Sequence, residues 1–286
     1  MNARVSVVVP AYNNADFIEE TVASILGQTF TDFELVIADH SSTDGTWERL
    51  QRFADDPRVR LLTTPAGGGA PANWARVSAE ATGDYLKLVC GDDVIYPTCL
   101  EQEVSAMDAD EETVLVACQR DLIDAHGGTV VRARGLAGLR GSVSGRVAAR
   151  RTVRVGANIF GEPGCVLFRR AAFESAGGWD ASEPFVIDQH SYCNVLMRGN
   201  FHAVPTPLAG FRLSAAQWSV SLARQQSDQV IGFHHRLSTA NPGLLSRADL
   251  ARGDLMARVT AYKRRLAYVW VGRRMHAPVP PRAEER

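Results

Sequence analysis

The chain opens on an apolar run, residues 5–9, broken only by Ser6 and stopped by Pro10; β-branched throughout, it predicts a buried strand. After the turn Ala11-Tyr-Asn-Asn14 the period changes. Phe17, Ile18, Val22, Ile25 and Leu26 recur every three or four residues, which predicts a helix with Asn14 as N-cap and Gly27 as stop. Residues 34–38 return to the strand pattern and end on Asp39, residues 41–45 form a polar turn, and Trp47, Leu50 and Phe53 resume helical spacing. A third strand is expected at 59–62, a glycine-rich loop at 65–70 and a further helix at 71–81. The next stretch, Asp84-Tyr-Leu-Lys-Leu-Val-Cys-Gly-Asp-Asp-Val94, is a strand ending on two adjacent carboxylates. Alternating helices and wholly apolar strands predict an α/β fold with a parallel sheet covered on both faces.

Beyond Asp93 the pattern weakens. Leu100 and Val104 suggest a helix, 113–118 a strand and 121–131 a hairpin turning at His126-Gly-Gly128. Residues 132–154, rich in Gly, Arg, Ala and Ser, predict an irregular connection, either a solvated loop or one whose arginines meet phosphate. Order returns with a strand at 164–168, a short helix at 169–176 and the turn Gly177-Gly-Trp-Asp180. Tyr192, Val195 and Leu196 then have helical spacing after Asp188, and short strands are expected at 201–204 and 208–211. The remainder reads as helical, with Met256, Val259, Tyr262, Leu266 and Val269 as one stripe on a helix made basic by Arg258, Lys263, Arg264, Arg265, Arg273 and Arg274. Such a helix lies on a membrane surface, on its own domain or on a second subunit of a homodimer. Residues 277–286, proline-rich and charged, read as a disordered tail.

A 286-residue chain that is 45% hydrophobic can bury a substantial core, and no internal repeat or sharp break divides it. A formal net charge of −1 gathers no nucleic acid. The five cysteines are odd in number, widely spaced and set in apolar runs, so they read as buried thiols in a reducing compartment; no leader-like segment opens the chain. The apolar run 266–272 is too short to span a bilayer, and the expectation is a cytoplasmic protein.

Two like charges at a strand mouth are costly unless a cation sits over them, so Asp92 and Asp93 point to a divalent metal carrying a phosphorylated ligand. The dehydrogenase type of nucleotide site is excluded, because Pro10-Ala-Tyr-Asn-Asn14 stands where a G-x-G-x-x-G turn would be needed. Gly67-Gly-Gly69 lies in a different loop and reads as a flexible connection or a phosphate cradle.

Taken together, Ser6-Val-Val-Val-Pro-Ala-Tyr-Asn13, Glu34-Leu-Val-Ile-Ala-Asp-His-Ser-Ser-Thr-Asp-Gly-Thr46, Ala81-Thr-Gly-Asp-Tyr-Leu-Lys-Leu-Val-Cys-Gly-Asp-Asp93, Phe168-Arg-Arg and Gly177-Gly-Trp-Asp180 resemble glycosyltransferase family 2, in that order, over about residues 5–219. The resemblance implies a GT-A fold: a Rossmann-like, mostly parallel central sheet flanked by helices over 1–219, with a nucleotide-sugar half near 1–105, an acceptor half near 106–219 and a helical extension at 220–276. It implies transfer of a sugar from a nucleoside-diphosphate sugar, such as a UDP-sugar, to a hydroxyl acceptor with inversion. Pro10, Ala11, Tyr12 and Asp39 would hold the nucleobase, with Asn73, Trp74 and Asp92 beside the donor, although Trp74 equally reads as core. Asp93 would hold Mn²⁺ or Mg²⁺, and Asp188 would be the general base, with His190 as the alternative. Glu162, Arg212 and Gln217 would line the acceptor or phosphate side. The chain departs from the pattern at His40, where a second acid is usual, at Cys90, where an Asp is common, and at Ser214, where a histidine is frequent. Those departures keep open a non-catalytic nucleotide- or carbohydrate-binding protein. A nucleotidyltransferase is a further alternative, disfavoured because the first turn lacks the glycines and basic residues that hold a triphosphate.

Overall fold

In the computed structural model residues 3–213 and 225–271 are described, with side chains as far as 265. Four strands form one flank of the sheet: β1 (Val5–Ala11), β2 (Phe33–Asp39), β3 (Val59–Thr63) and β4 (Tyr85–Leu88). They lie in the order β3-β2-β1-β4, all parallel, joined through α1 (Ile18–Leu26), α2 (Thr46–Leu50) and α3 (Gly69–Ala79). Every residue of β1 is buried, because helices cover both faces of a sheet made from parallel crossovers. Gly27 ends α1 as expected, but Asn14 does not cap it by its side chain. Its carbonyl accepts the amides of Phe17 and Ile18, while Oδ1 accepts the amide of Tyr12 at 2.9 Å.

The other flank contains β5 (Val94–Ile95), β6 (Thr113–Ile123), β7 (Thr129–Arg134), β8 (Gly141–Ser144), β9 (Val166–Arg169) and β10 (Asn200–Arg212), with α4 (Cys99–Asp108), α5 (Gly145–Val155), α6 (Arg170–Ser175) and α7 (Ile187–Leu196). The sheet continues β4-β9-β6-β10-β5, with β7 added to β6 and β8 to β10. Here the expected mostly parallel sheet becomes mixed: β9 is antiparallel to both β4 and β6, and only β6 and β10 pair in parallel. β7 is antiparallel to β6 as well, because the tight turn between them leaves no room for a crossover. The two strands expected at 201–204 and 208–211 are one 13-residue strand, with register shifts on both sides of Pro207 and another at its start, between Asn200 and Phe201.

Residues 132–154 are ordered, contrary to expectation. Their helix α5 buries Gly145, Ala148, Ala149, Thr152 and Val153. The spacing is helical, but the inward residues are small and the arginines between them mask the period. A Cβ on Gly145 would meet the carbonyls of Leu196 and Gly199 at 2.0 and 2.3 Å, so only glycine lets α5 begin against the end of α7.

Two helices close the described chain, α8 (Gln226–Ala240) and α9 (Arg247–Val271). α9 packs on its own domain, against α5 and α8. The expected stripe is not the buried one: Tyr262 is 64% exposed, and the row turned inward is Gly253, Ala257 and Ala261. Backbone approach decides this, since a Cβ on Gly156 would lie 2.4 Å from the amide nitrogen of Ala257 and one on Gly253 2.7 Å from the carbonyl of Val153. Leu266 and Val269 lie beyond the described side chains, and Ser214, Gln217, Arg273, Arg274 and the 277–286 tail lie outside the described residues.

Candidate active site

The C-terminal ends of β1, β2 and β4 open into a cleft of about 1020 Å³. At its β1–β2 end Tyr12 is 56% exposed and meets the His40 ring edge-on at 6.0 Å. Asp39, paired in register with Ala11, is buried; Oδ2 accepts the Ser42 amide at 3.0 Å and Oδ1 has no hydrogen-bond partner. His40 bonds Thr64 through Nδ1 at 3.0 Å, and its buried Nε2 is likewise unpartnered. Asn73 donates to the Ala11 carbonyl at 3.4 Å and leaves Oδ1 unpaired. Three buried polar atoms without partners around one strand end cost about 1–3 kcal/mol each unless a ligand meets them. Pro10 and Trp74 line the same cleft. Trp74 also meets Trp179 edge-on at 5.0 Å and packs on the core, so it lines the cleft from the core side.

Gly67, Gly68 and Gly69 line the cleft too, all with positive φ. A Cβ on Gly68 would lie 2.5 Å from the Ala72 Cβ, so the loop folds back tightly onto α3.

The acidic turn is braced from behind. The Asp93 amide donates to the Cys90 carbonyl at 3.1 Å, and Thr21 Oγ1 on α1 donates to the Asp93 carbonyl at 2.7 Å. Asp93 Oδ1 accepts the Arg212 amide at 2.9 Å, and Arg212 Nε donates to the Asp92 carbonyl at 2.8 Å. A Cβ on Gly91 would sit 2.5 Å from Asn14 Oδ1, which ties this turn to the one after β1. Arg212, expected on the acceptor or phosphate side, turns away from the cleft. It is 1% exposed, pairs with Glu20 at 2.7 Å and lies over the Phe17 ring at 4.8 Å, while its neighbour Phe211 faces the cleft. Alternation along β10 sets this, because consecutive side chains on a strand point to opposite faces.

Across the cleft Asp188 sits in the first turn of α7. Asn158 Nδ2 donates to its Oδ2 at 2.8 Å and the Gln189 amide to its Oδ1 at 2.6 Å. Burial, reinforced by Glu162, raises its pKa to about 7 against those two hydrogen bonds. Glu162 lines the same wall and is paired with Arg120, whose Nη2 donates to Oε1 at 3.0 Å. His190 points elsewhere, 3.5 Å from both Asp180 and Glu183, and does not line the cleft. Sequence reasoning missed Asn158, for which a lone loop asparagine carries no signal. It also missed Arg264 of α9 as a cleft residue, although the small-residue row ahead of it was a usable one.

The electrostatics call for a cation. Burial and then Asp92 push the Asp93 carboxyl well above its usual range. Burial, Asp93, Asp92, Asp188 and Glu162 push the Cys90 thiol up, so four carboxylates converge on one sulfur and that sulfur is not a thiolate. Among the described residues, the one set of three ligating side chains within 4.8 Å of each other is Cys99, Glu103 and Cys118, and the buried Lys87 ammonium already pairs with Glu103 there at 2.7 Å. The chemistry of the acidic turn, two carboxylates at a strand end, would suit a hard divalent ion.

A profile described as Glycosyl transferase family 2 matches residues 6–177. The chain is 41% identical over 98 residues to the chondroitin synthase of Pasteurella multocida (strain Pm70), covering 34% of this chain and 10% of that protein. It is 36% identical over 114 residues to glycosyltransferase GlyG of Streptococcus pneumoniae, covering 38% of each. It is 31% identical over 103 residues to the UDP-Glc:alpha-D-GlcNAc-diphosphoundecaprenol beta-1,3-glucosyltransferase WfgD of Escherichia coli, covering 36% of this chain and 40% of WfgD. The matches thus span well under half the length of these relatives. Among solved structures, S. aureus TarS 1-349 in complex with UDP-GlcNAc superposes with a TM-score of 0.67 at 17% identity, over 93% of this chain and 73% of that one. The mannosyltransferase PcManGT of Pyrobaculum calidifontis, in complex with GDP-Man and Mn²⁺, gives 0.67 at 20% identity, over 95% and 76%. These likenesses show a single GT-A fold.

Proposed function

The chain belongs to glycosyltransferase family 2, and we propose that it is a nucleotide-sugar-dependent glycosyltransferase that transfers a sugar to a hydroxyl acceptor with inversion, using Asp188 as the general base. The observation that carries this is the single cleft joining the unpartnered polar atoms of His40 and Asn73 to the carboxylates Asp92, Asp93, Glu162 and Asp188, with the free oxygen of buried Asp39 just behind His40 at the end of β2. Tyr12 stacks on the nucleobase and Asp39 Oδ1 accepts its ring N–H, which suits uracil and a UDP-sugar. Asp93 holds Mn²⁺ or Mg²⁺, with Asp92 on the ribose or a bound water; when present, the ion offsets charge on the departing nucleoside diphosphate. Asn158 aims Asp188, whose carboxylate takes the acceptor hydroxyl proton as the oxygen attacks the anomeric carbon on the face away from the leaving group. A pKa near 7 suits that task, and the carboxylates favour catalysis over a purely binding role. Calorimetry with UDP and GDP, with and without Mn²⁺, tests the donor half: UDP binds only with metal, and Asp93→Asn, which keeps an oxygen for the Arg212 amide, abolishes that binding without lowering the melting temperature. Metal-independent binding unaffected by Asp93→Asn overturns the assignment.

All five cysteines are free, in keeping with a cytoplasmic protein, and no helix among the described residues is long and apolar enough to cross a membrane. The outer face of α9 favours peripheral contact with an anionic bilayer: Leu255 and Tyr262 are exposed among Arg252, Arg258, Lys263 and Arg265. Sedimentation with phosphatidylglycerol vesicles, lost in Leu255→Asp, checks this.

A further inference from the structure

Arg264 is a half-buried arginine held by neutral groups, as is Arg169, but Arg169 gives its guanidinium to the carbonyls of Thr113 and Met107 and does not line the cleft. Arg120 pairs with Glu162 and Arg58 with Asp56, whereas Arg264 forms no ion pair among the described residues. Its guanidinium is held by neutral groups: Nη1 donates to Gln226 Oε1 at 3.0 Å, and Cζ lies 5.1 Å from the centroid of the Phe185 ring. It is the one Lys or Arg among the described residues lining the cleft, whose other charged lining groups are the carboxylates of Asp92, Asp93, Glu162 and Asp188. A half-desolvated guanidinium, oriented by stacking and an amide but without a counterion, is prepared for an anion from outside the chain.

The position of Arg264 selects which substrate brings that anion. Phe185 lies three residues before Asp188, and Gln226 opens α8, so the guanidinium belongs to the Asp188 wall. Taking the donor and base assignments above as premise, we propose that Arg264 binds a carboxylate or phosphate carried by the acceptor. The transferase is thereby selective for acidic sugar or polyol-phosphate acceptors.

The test is saturation-transfer NMR on the full chain, with and without UDP and Mn²⁺, using methyl β-glucuronide, glycerol 3-phosphate and methyl β-glucoside as probes. One or both anionic probes bind at least about tenfold more tightly than the glucoside, and which of them does so tells carboxylate from phosphate. Arg264→Gln removes about tenfold of that preference, and Arg264→Lys, which keeps the charge but not the fork, retains part of it. UDP affinity is unchanged in Arg264→Gln, and so is the ratio of UDP-glucuronic acid to UDP-glucose binding. Equal binding of the three probes overturns the proposal. So does a loss of UDP affinity in Arg264→Gln, which assigns the residue to the diphosphate, or a selective loss of UDP-glucuronic acid, which assigns it to the donor sugar. Failure of the wild type to bind UDP with Mn²⁺ refutes the donor reading instead, and the anion preference is then read in the nucleotide-free protein.

Discussion

Asp93 and Asp188 face one cleft from opposite walls, and they are held by different kinds of bond. Around Asp93 the main chain does the work: its carbonyl takes Thr21 Oγ1, its amide meets Cys90, and its Oδ1 takes the backbone amide of Arg212. Asp188 depends on a side chain, Asn158, and on the amide of Gln189. Main-chain groups at strand ends come with the sheet, so the Asp93 wall should be the rigid one. The Asp188 wall, assembled from the 156–165 loop, α7 and α9, should be the adjustable one. Damage to the first should appear in stability and donor binding, and damage to the second in turnover, pH profile and acceptor choice.

The most severe break on the Asp188 side is Asp188→Asn. It should lower kcat by about 10³, near 4 kcal/mol in the barrier, while UDP affinity and melting temperature hold; steady-state kinetics with calorimetry check both. On the Asp93 side the largest effect should come from Arg212→Met. That change strands the carbonyls of Asp92, Asp124 and Ala125 and costs about 3 kcal/mol of stability, read by urea denaturation. Asn158→Ala is the milder test of the adjustable wall. With one hydrogen bond to Asp188 gone, kcat should fall about tenfold with no more than about 1 kcal/mol lost in stability.

The pH profile sharpens the contrast further. A general base must be ionised, so kcat should rise with pH through about 7 and level off above it. The groups facing Asp188 are Glu162, which raises its pKa, Arg120, which lowers it, and Cys90, Tyr192 and Cys193, all protonated near neutrality. Glu162→Gln removes the like charge and should move the limb down by about half a unit, whatever it does to the plateau. An upward shift would refute the assignment. The smallest effect lies away from the cleft, at Asp249, whose carboxyl is lowered to about 2 by the Ser246 amide, Arg150 and the Ser246 hydroxyl, against burial. A depressed folded pKa adds stability above the unfolded value near 4 and loses it as pH falls through about 2. With Arg150 and Arg154 nearly half exposed, Asp249→Asn should cost only about 1 kcal/mol at neutral pH and nothing near pH 2.

Residues that report on the backbone were readable in the sequence. The runs at 5–9, 34–39 and 84–88 form strands, and the acidic turn, Tyr12 and Asp39 gather at their ends, because a strand's side chains and its exit point follow from local pattern. α5 was not readable, since Gly145, Ala148 and Ala149 bury little apolar area and their value lies in the backbone approach they permit. The same holds for the row Gly253, Ala257 and Ala261, which was overlooked in favour of the larger Met256 and Tyr262.

What the sequence determined by itself was local and periodic: the succession of elements, the apolar sheet, and two carboxylates at a strand end that need a cation. Which residues meet across the cleft was decided by the tertiary structure. Arg212 is carried behind the acidic turn by strand alternation, Asn158 reaches Asp188 from 30 positions away, and Arg264 enters the cleft because α9 rests on glycine and alanine. Those outcomes turn on backbone distances of a few tenths of an ångström between segments far apart in the chain, and no local period records them.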